Sequence, residues 1–270
     1  MNHLVWCGIS ICISVLSSFI LRLVVYRVTK SRSIHTLYDE FIGNFVAAVI
    51  VMELSVLSYA QHSTYFFITC LYVYLFIKNL YFSVLGLYGT PLSFIDLYYS
   101  KNRKHEFTLV EVCTILLSQT AASLAGISYA KLLWMYEDAV HQNLADESCL
   151  STISDSHLWY ECFAVEMFGV FICAFVDFCM YASWKVFTRP LMTILVINNL
   201  SHVTGTWMNP MLATVFTFRC SGHISDALHF IVYWVAPFVG LFIAWEFHLL
   251  VQKFISSTKG STKDDKKKTN

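Results

Sequence analysis

Long apolar runs broken by short polar stretches set the pattern of this chain. The runs are Leu4 to Tyr26, Glu40 to Ala60, Thr64 to Tyr88, Phe107 to Trp134, Cys162 to Trp184, Pro190 to His202 and Leu228 to Val251. A helix that crosses a bilayer needs about 20 largely apolar residues. Every run except Pro190 to His202 reaches that length. The pattern predicts an all-α membrane protein with seven spans, the short Pro190 run included, and Lys185 to Arg189 as the loop before it. Arg22, Arg27, Lys30 and Arg32 gather at the end of the first run. A cleavable signal has its charges before the apolar stretch. The first run is therefore read as a signal anchor whose N-terminus lies outside the cytosol.

One stretch interrupts the pattern near the C-terminal end: Thr204-Gly205-Thr206-Trp207-Met208-Asn209-Pro210-Met211-Leu212. Asn before Pro is a helix start, because Asn caps orphan backbone N–H groups and Pro at the first position needs no N–H partner. Met211 to Phe218 is apolar but too short to span. Irregular backbone at membrane depth persists only where it is buried in protein or lines a water-filled cavity. This stretch is therefore expected to form a re-entrant half-helix whose N-terminus faces a pore. Tyr88-Gly89-Thr90-Pro91-Leu92-Ser93-Phe94-Ile95-Asp96 is the candidate for a matching element in the first half, with Thr90 as its cap. An ordinary interhelical turn is the alternative there.

Charge orients the spans. Arg22, Arg27, Lys30, Arg32, Lys101, Arg103, Lys104, Lys185, Arg189, Lys253, Lys259, Lys263, Lys266, Lys267 and Lys268 fall on one side of the seven-span arrangement and account for most of the 18 basic residues. The positive-inside rule makes that side, with the C-terminus, cytosolic. The acidic segment Glu137 to His157 lies opposite. Lys78 sits inside a span, where burial among helices, snorkelling and a pore-facing place are the options. Glu40, Glu53, Glu166 and Asp177 are acids at membrane depth, which usually have partners. A proton or cation path through them is disfavoured, since no series of His or Lys accompanies them.

Composition sharpens this little. The chain has 57% hydrophobic and 13% charged residues and zero formal net charge, which offers no basic face for nucleic acid. Most of the nine cysteines lie in apolar runs, where they act as small hydrophobes. No CxxC or Cys/His cluster suggests zinc, and no cofactor or resident metal is expected. Cys149 and Cys220 fall in polar segments and form the one pair considered for redox chemistry.

Thr204 to Leu212, with Phe218-Arg219-Cys220-Ser221-Gly222 and Tyr233-Trp234-Val235-Ala236-Pro237-Phe238-Val239-Gly240, resembles the second half of the aquaporin family. It looks most like the unorthodox, subcellular branch called super-aquaporins (the aquaporin eleven and twelve group). The likeness is strongest over Glu161 to Leu250 and weaker over Asp39 to Trp134. The family's Asn-Pro-Ala reads Asn209-Pro210-Met211 here and, in the first half, Thr90-Pro91-Leu92. The family's pore arginine is replaced by Leu212.

The resemblance implies an inverted repeat of six spanning helices and two re-entrant half-helices, with the first span as an extra N-terminal helix. Residues 1–35 would be the anchor and a basic loop. Residues 36–255 would be the channel domain, its repeats at 36–136 and 159–255, and 256–270 a disordered cytosolic tail. By resemblance, Glu40 and Glu166 hold the pore loops, and Ile197, Thr206, Leu212 and Cys70 form the selectivity filter. Cys220 is the branch's cysteine, read either as a structural residue or as a redox-sensitive gate.

A filter of this kind is largely apolar. It implies passive conduction of water and small neutral solutes such as glycerol or hydrogen peroxide, with no enzymatic reaction. The expected partners are the lipid bilayer, these solutes and three further copies of the chain in a homotetramer. Lys267 and Lys268 resemble a dilysine signal for retrieval to the endoplasmic reticulum. A channel fold with a closed pore and a structural role is the main alternative. A seven-span receptor and a membrane enzyme fit less well.

Overall fold

The computed structural model describes residues 2–60, 64–94, 108–146, 149, 152–153, 157–222 and 224–268. Among the described residues the regular structure is helical: α1 (Asn2–Val28), α2 (Arg32–Tyr59), α3 (Thr64–Leu85), α4 (Leu109–Trp134), α5 (Ala139–Asp146), α6 (Trp159–Cys179), α7 (Ala182–Thr204), α8 (Pro210–Thr217), α9 (Asp226–Phe230) and α10 (Ala236–Lys268). Among the described residues six stretches are long and apolar enough to cross a membrane: His3–Val28, Arg32–Tyr59, Tyr65–Val84, Leu109–Trp134, Trp159–Cys179 and Asp226–Ser256. Helix α7 is not apolar enough to count with them. Its 23 residues still extend about 35 Å at ~1.5 Å per residue, and it packs between α3 and α6.

Two boundaries differ from those read in the sequence. The break expected at Lys185 to Arg189 falls at Met180–Tyr181, and both basic residues lie inside α7, as does Pro190. Asp177 draws them in. Its carboxylate accepts from Arg189 Nε at 2.6 Å, Arg189 Nη2 at 2.8 Å and Lys185 Nζ at 3.3 Å. Lys185 and Arg189 are four apart and share one helix face, so one acid at the end of α6 satisfies both. The second difference is the tail, whose backbone stays helical to Lys268 rather than becoming irregular after Ser256. It contains no proline and is rich in lysine, a good helix former.

The two halves pack alike. Helix α2 lies along α4, and α6 along α10. Each contact is closed by a glycine: a methyl group on Gly126 would stand 2.7 Å from Phe45 O, and one on Gly240 would stand 2.2 Å from Met167 O. Small residues at such points let helix backbones approach closely in a membrane. Helix α3 meets α7 across the middle. Helix α1 stands outside this arrangement and packs on α2. Pro237 has no N–H for the carbonyl one turn back, and the chain immediately before α10 widens into a π turn over Ile231–Val235.

Candidate functional site: an axial cavity between two capped loops

A cavity of about 770 Å³ runs along α3 from Phe67 to Phe82 and between the two loops that precede Leu92 and Pro210. The loops are built by their caps and by two buried acids. In the second loop, Asn209 Oδ1 accepts from Met211 N at 3.1 Å and Leu212 N at 3.5 Å, which starts α8. Glu166, fully buried in α6, accepts from Thr204 Oγ1 at 2.7 Å, Trp207 N at 3.0 Å and Met208 N at 2.8 Å. Thr206 and Met208 both take φ of 49°, a left-handed conformation that is costly for a β-branched or bulky side chain. The Glu166 bonds hold that conformation.

In the first loop, Thr90 Oγ1 accepts from Leu92 N at 3.4 Å, and residues 92–94 begin a helical turn. Ile95 and Asp96 lie outside the described residues, as do Lys101, Arg103 and Lys104. Glu40, buried in α2, accepts from Tyr88 N, from Gly89 N at 3.2 Å and from Gln119 Nε2 of α4 at 2.8 Å. Gly89 has φ of 66°, where a side chain would be strained and would strike the Phe82 ring. The loops touch directly: Asn209 Nδ2 donates to Gly89 O at 3.3 Å.

Thr90, Leu92, Asn209, Ile197, Thr206 and Leu212 line the cavity. Pro91, Pro210 and Met211 are buried beside it and are not lining residues; Met211 Sδ instead accepts from Thr120 Oγ1 of α4 at 2.8 Å. Cys70 is also outside the lining. The face of α3 turned inward carries Phe67, Leu71, Tyr74, Leu75 and Lys78, a spacing of one helix stripe. Cys70 packs against the core cluster that α2 contributes to. Near the start of α3 the lining holds Phe67 and Leu71 with Ser55 and Ser58 of α2; Ile197 and Leu212 also line the cavity, and Thr206 Oγ1 is buried without a hydrogen-bond partner. The opposite end holds Lys78, Asn79, Asp177 and Arg189. Lys78 is therefore a cavity residue and not one simply packed among helices. Lys267 and Lys268 lie in the last turn of α10.

Cys220 is joined to Cys149 by a disulfide that closes a separation of 71 residues, and Ser221 N donates to Cys149 O at 3.0 Å. Thr152 adds to this tie, accepting from Trp207 Nε1 at 3.1 Å and bonding Tyr233 Oη at 2.9 Å. The cross-link anchors the segment after α8 to the segment before α6. Replacing Cys220 by Ser is expected to remove it and to lower stability by about 2–4 kcal/mol. The check is thermal unfolding followed by size-exclusion chromatography, and the Cys149→Ser, Cys220→Ser double variant should fall no further.

A second polar cluster lies away from the cavity. Cys7 of α1, Glu53 of α2, Glu137 and Asp138 of the turn after α4, and His141 of α5 converge in the interior. His141 Nδ1 stands 2.7 Å from Asp138 Oδ1. His141 Nε2 stands 3.5 Å from Cys7 Sγ, 3.5 Å from Glu53 Oε2 and 3.1 Å from Glu137 Oε2. Trp134 Nε1 donates to Glu53 Oε1 at 3.1 Å. Burial and then the Glu53 charge push the Glu137 carboxyl up to about 6. Burial also raises the Asp138 carboxyl, but hydrogen bonds from His141 outweigh it and leave the group below its ordinary range. The sequence showed no Cys/His cluster because these residues come from positions as much as 134 apart.

No known protein family matches the chain, and no curated protein matches it by sequence. Solved structures do match. One is the aquaglyceroporin from Plasmodium falciparum, at a TM-score of 0.54 and 17% identity, covering 78% of this chain and 95% of that one. The fold is that of an aquaporin-type channel. With six helices able to cross a bilayer, the chain is a multi-pass membrane protein.

Proposed function

We propose that this protein is a passive channel for water and small neutral solutes of the aquaporin type. The observation that carries the reading is the meeting of two capped loops inside one cavity, Asn209 against Gly89, each loop held by its own buried glutamate. A helix N-terminus carries roughly half a positive charge. Two such ends facing each other at mid-membrane, α8 and the turn begun at residue 92, would repel cations and orient water against proton transfer. Asn209 has a second amide N–H and Thr90 a hydroxyl to offer to passing solute. The lining residues Phe67, Leu71, Ile197 and Leu212 are apolar, which favours small neutral solutes over ions.

In this proposal α8 is re-entrant, α1 is an extra spanning helix, and the C-terminus is cytosolic. The Cys149–Cys220 disulfide supports that orientation, since disulfides persist on the oxidising side of a membrane and the basic segments are read on the other. The proposal extends to a homotetramer in an intracellular membrane such as the endoplasmic reticulum, of the super-aquaporin kind, with Lys267 and Lys268 on the cytosolic face.

Stopped-flow light scattering on proteoliposomes tests the central claim. Water and glycerol gradients should relax faster than in empty vesicles. Asn209→Asp, which removes the donor to Gly89 O and adds a charge, should cut the excess flux at least about tenfold, the effect of ~1.4 kcal/mol at the barrier. Folded, inserted wild type without flux would sink the channel reading and leave a closed, structural role.

A further inference from the structure

We propose that Cys7, Glu53 and His141 bind a structural zinc ion that fastens α1 to the channel body. One ligand atom from each of Cys7, Glu53 and His141 lies within 4.8 Å of the other two, and all three residues are buried. Zinc sits ~2.0–2.3 Å from N, O and S donors in a tetrahedron, so neighbouring donors stand roughly 3.3–3.8 Å apart. The separations of 3.5 Å from His141 Nε2 to Cys7 Sγ and 3.5 Å to Glu53 Oε2 meet that requirement.

The chemistry of the cluster asks for a cation. Asp138 Oδ1 accepts a hydrogen bond from His141 Nδ1–H at 2.7 Å, which leaves the Nε2 lone pair facing the cluster. This is the carboxylate–histidine arrangement that orients a metal-bound imidazole. Glu53 Oε2 and Glu137 Oε2 are buried and accept no hydrogen bond. A proton on Nε2 would have hydrogen-bond geometry only toward Cys7 Sγ, so protonation leaves both oxygens unsatisfied. A divalent ion among Cys7, Glu53 and His141 would satisfy the Glu53 oxygen, the nitrogen and the Cys7 thiolate, whose proton is released on binding.

The mixed S, N and O donor set suits zinc better than calcium or magnesium, which take oxygen alone. The three donors come from α1, α2 and α5. The side chains of Glu53, Glu137 and His141 are 0–6% exposed. A closed site of this kind is structural. It would join the extra N-terminal helix, which otherwise packs mainly on α2, to α5 as well.

The test uses the full chain purified in detergent without chelator. Elemental analysis should find one zinc per chain that survives dialysis. Cobalt exchanged into the protein should give a thiolate-to-metal charge-transfer band that vanishes in Cys7→Ser. His141→Ala should lose the ion, and Asp138→Asn should bind cobalt ~10–100-fold more weakly. An intact Cys149–Cys220 cross-link on non-reducing gels and a single size-exclusion peak report that each variant is folded. The wild-type cobalt spectrum stands by itself if the variants misfold. A folded wild type that takes up neither zinc nor cobalt, a cobalt spectrum without thiolate character, or undiminished metal in folded Cys7→Ser and His141→Ala would overturn the proposal. Because none of these readouts involves flux, the result is independent of whether the cavity conducts.

Discussion

Replacing Glu166 by Ala is expected to abolish a stably folded second half. The carboxylate is the shared acceptor for Thr204 Oγ1, Trp207 N and Met208 N. Each buried donor left without a partner costs about 1–3 kcal/mol, and the side chain lies in a fully buried site. The loop it holds includes Thr206 and Met208 at φ of 49°, conformations that persist only where the surroundings impose them. The combined loss is about 3–5 kcal/mol or more, a large part of a domain's net stability. Expressed Glu166→Ala should aggregate or elute as a broad peak, and the bonds around Asn209 should open to protease. Glu166→Gln keeps one acceptor oxygen and should lose less. A Glu166→Ala variant with wild-type melting and wild-type flux would show that the loop holds itself.

Gly240→Leu is expected to have an effect of the same size for a different reason. Even a methyl group at Gly240 would stand 2.2 Å from Met167 O, 3.0 Å from Met167 C and 3.2 Å from Phe171 N. These are backbone atoms of α6 and cannot rotate aside. The two helices must separate by about 1 Å or more, against the close packing that a protein interior requires. Gly240→Ala should cost about 3 kcal/mol and Gly240→Leu more, read as lost thermal stability. Gly8 is the control. A methyl group there meets nothing within 4 Å, and Gly8→Ala in α1 should leave stability unchanged or raise it by up to ~1 kcal/mol through helix propensity. Equal behaviour of Gly8→Ala and Gly240→Ala would remove the packing argument.

The positions of the helices were legible in the sequence. Apolar runs of spanning length marked six of them, and composition alone accounts for those. Asn209-Pro210 marked the start of α8, because a cap and its proline act within one turn. The loop boundary between α6 and α7 was misplaced for a tertiary reason: the pairing of Asp177 with Lys185 and Arg189 makes charged residues tolerable inside a helix. Cys70 illustrates the same limit within α3. Neighbouring residues on a helix differ by about 100° in direction, so knowing that a helix exists leaves its rotation open, and rotation decided that Phe67, Leu71 and Tyr74 line the cavity.

Sequence by itself determined the all-helical class, six stretches of spanning length and the Asn209-Pro210 helix start, since each depends on residues close together in the chain. Only the tertiary structure decided that Asn209 meets Gly89, that Cys149 pairs with Cys220, and that His141 stands among Cys7, Glu53 and Glu137. Those contacts join positions tens of residues apart. They exist because helix packing brings those faces together, and no local periodicity records which faces those are.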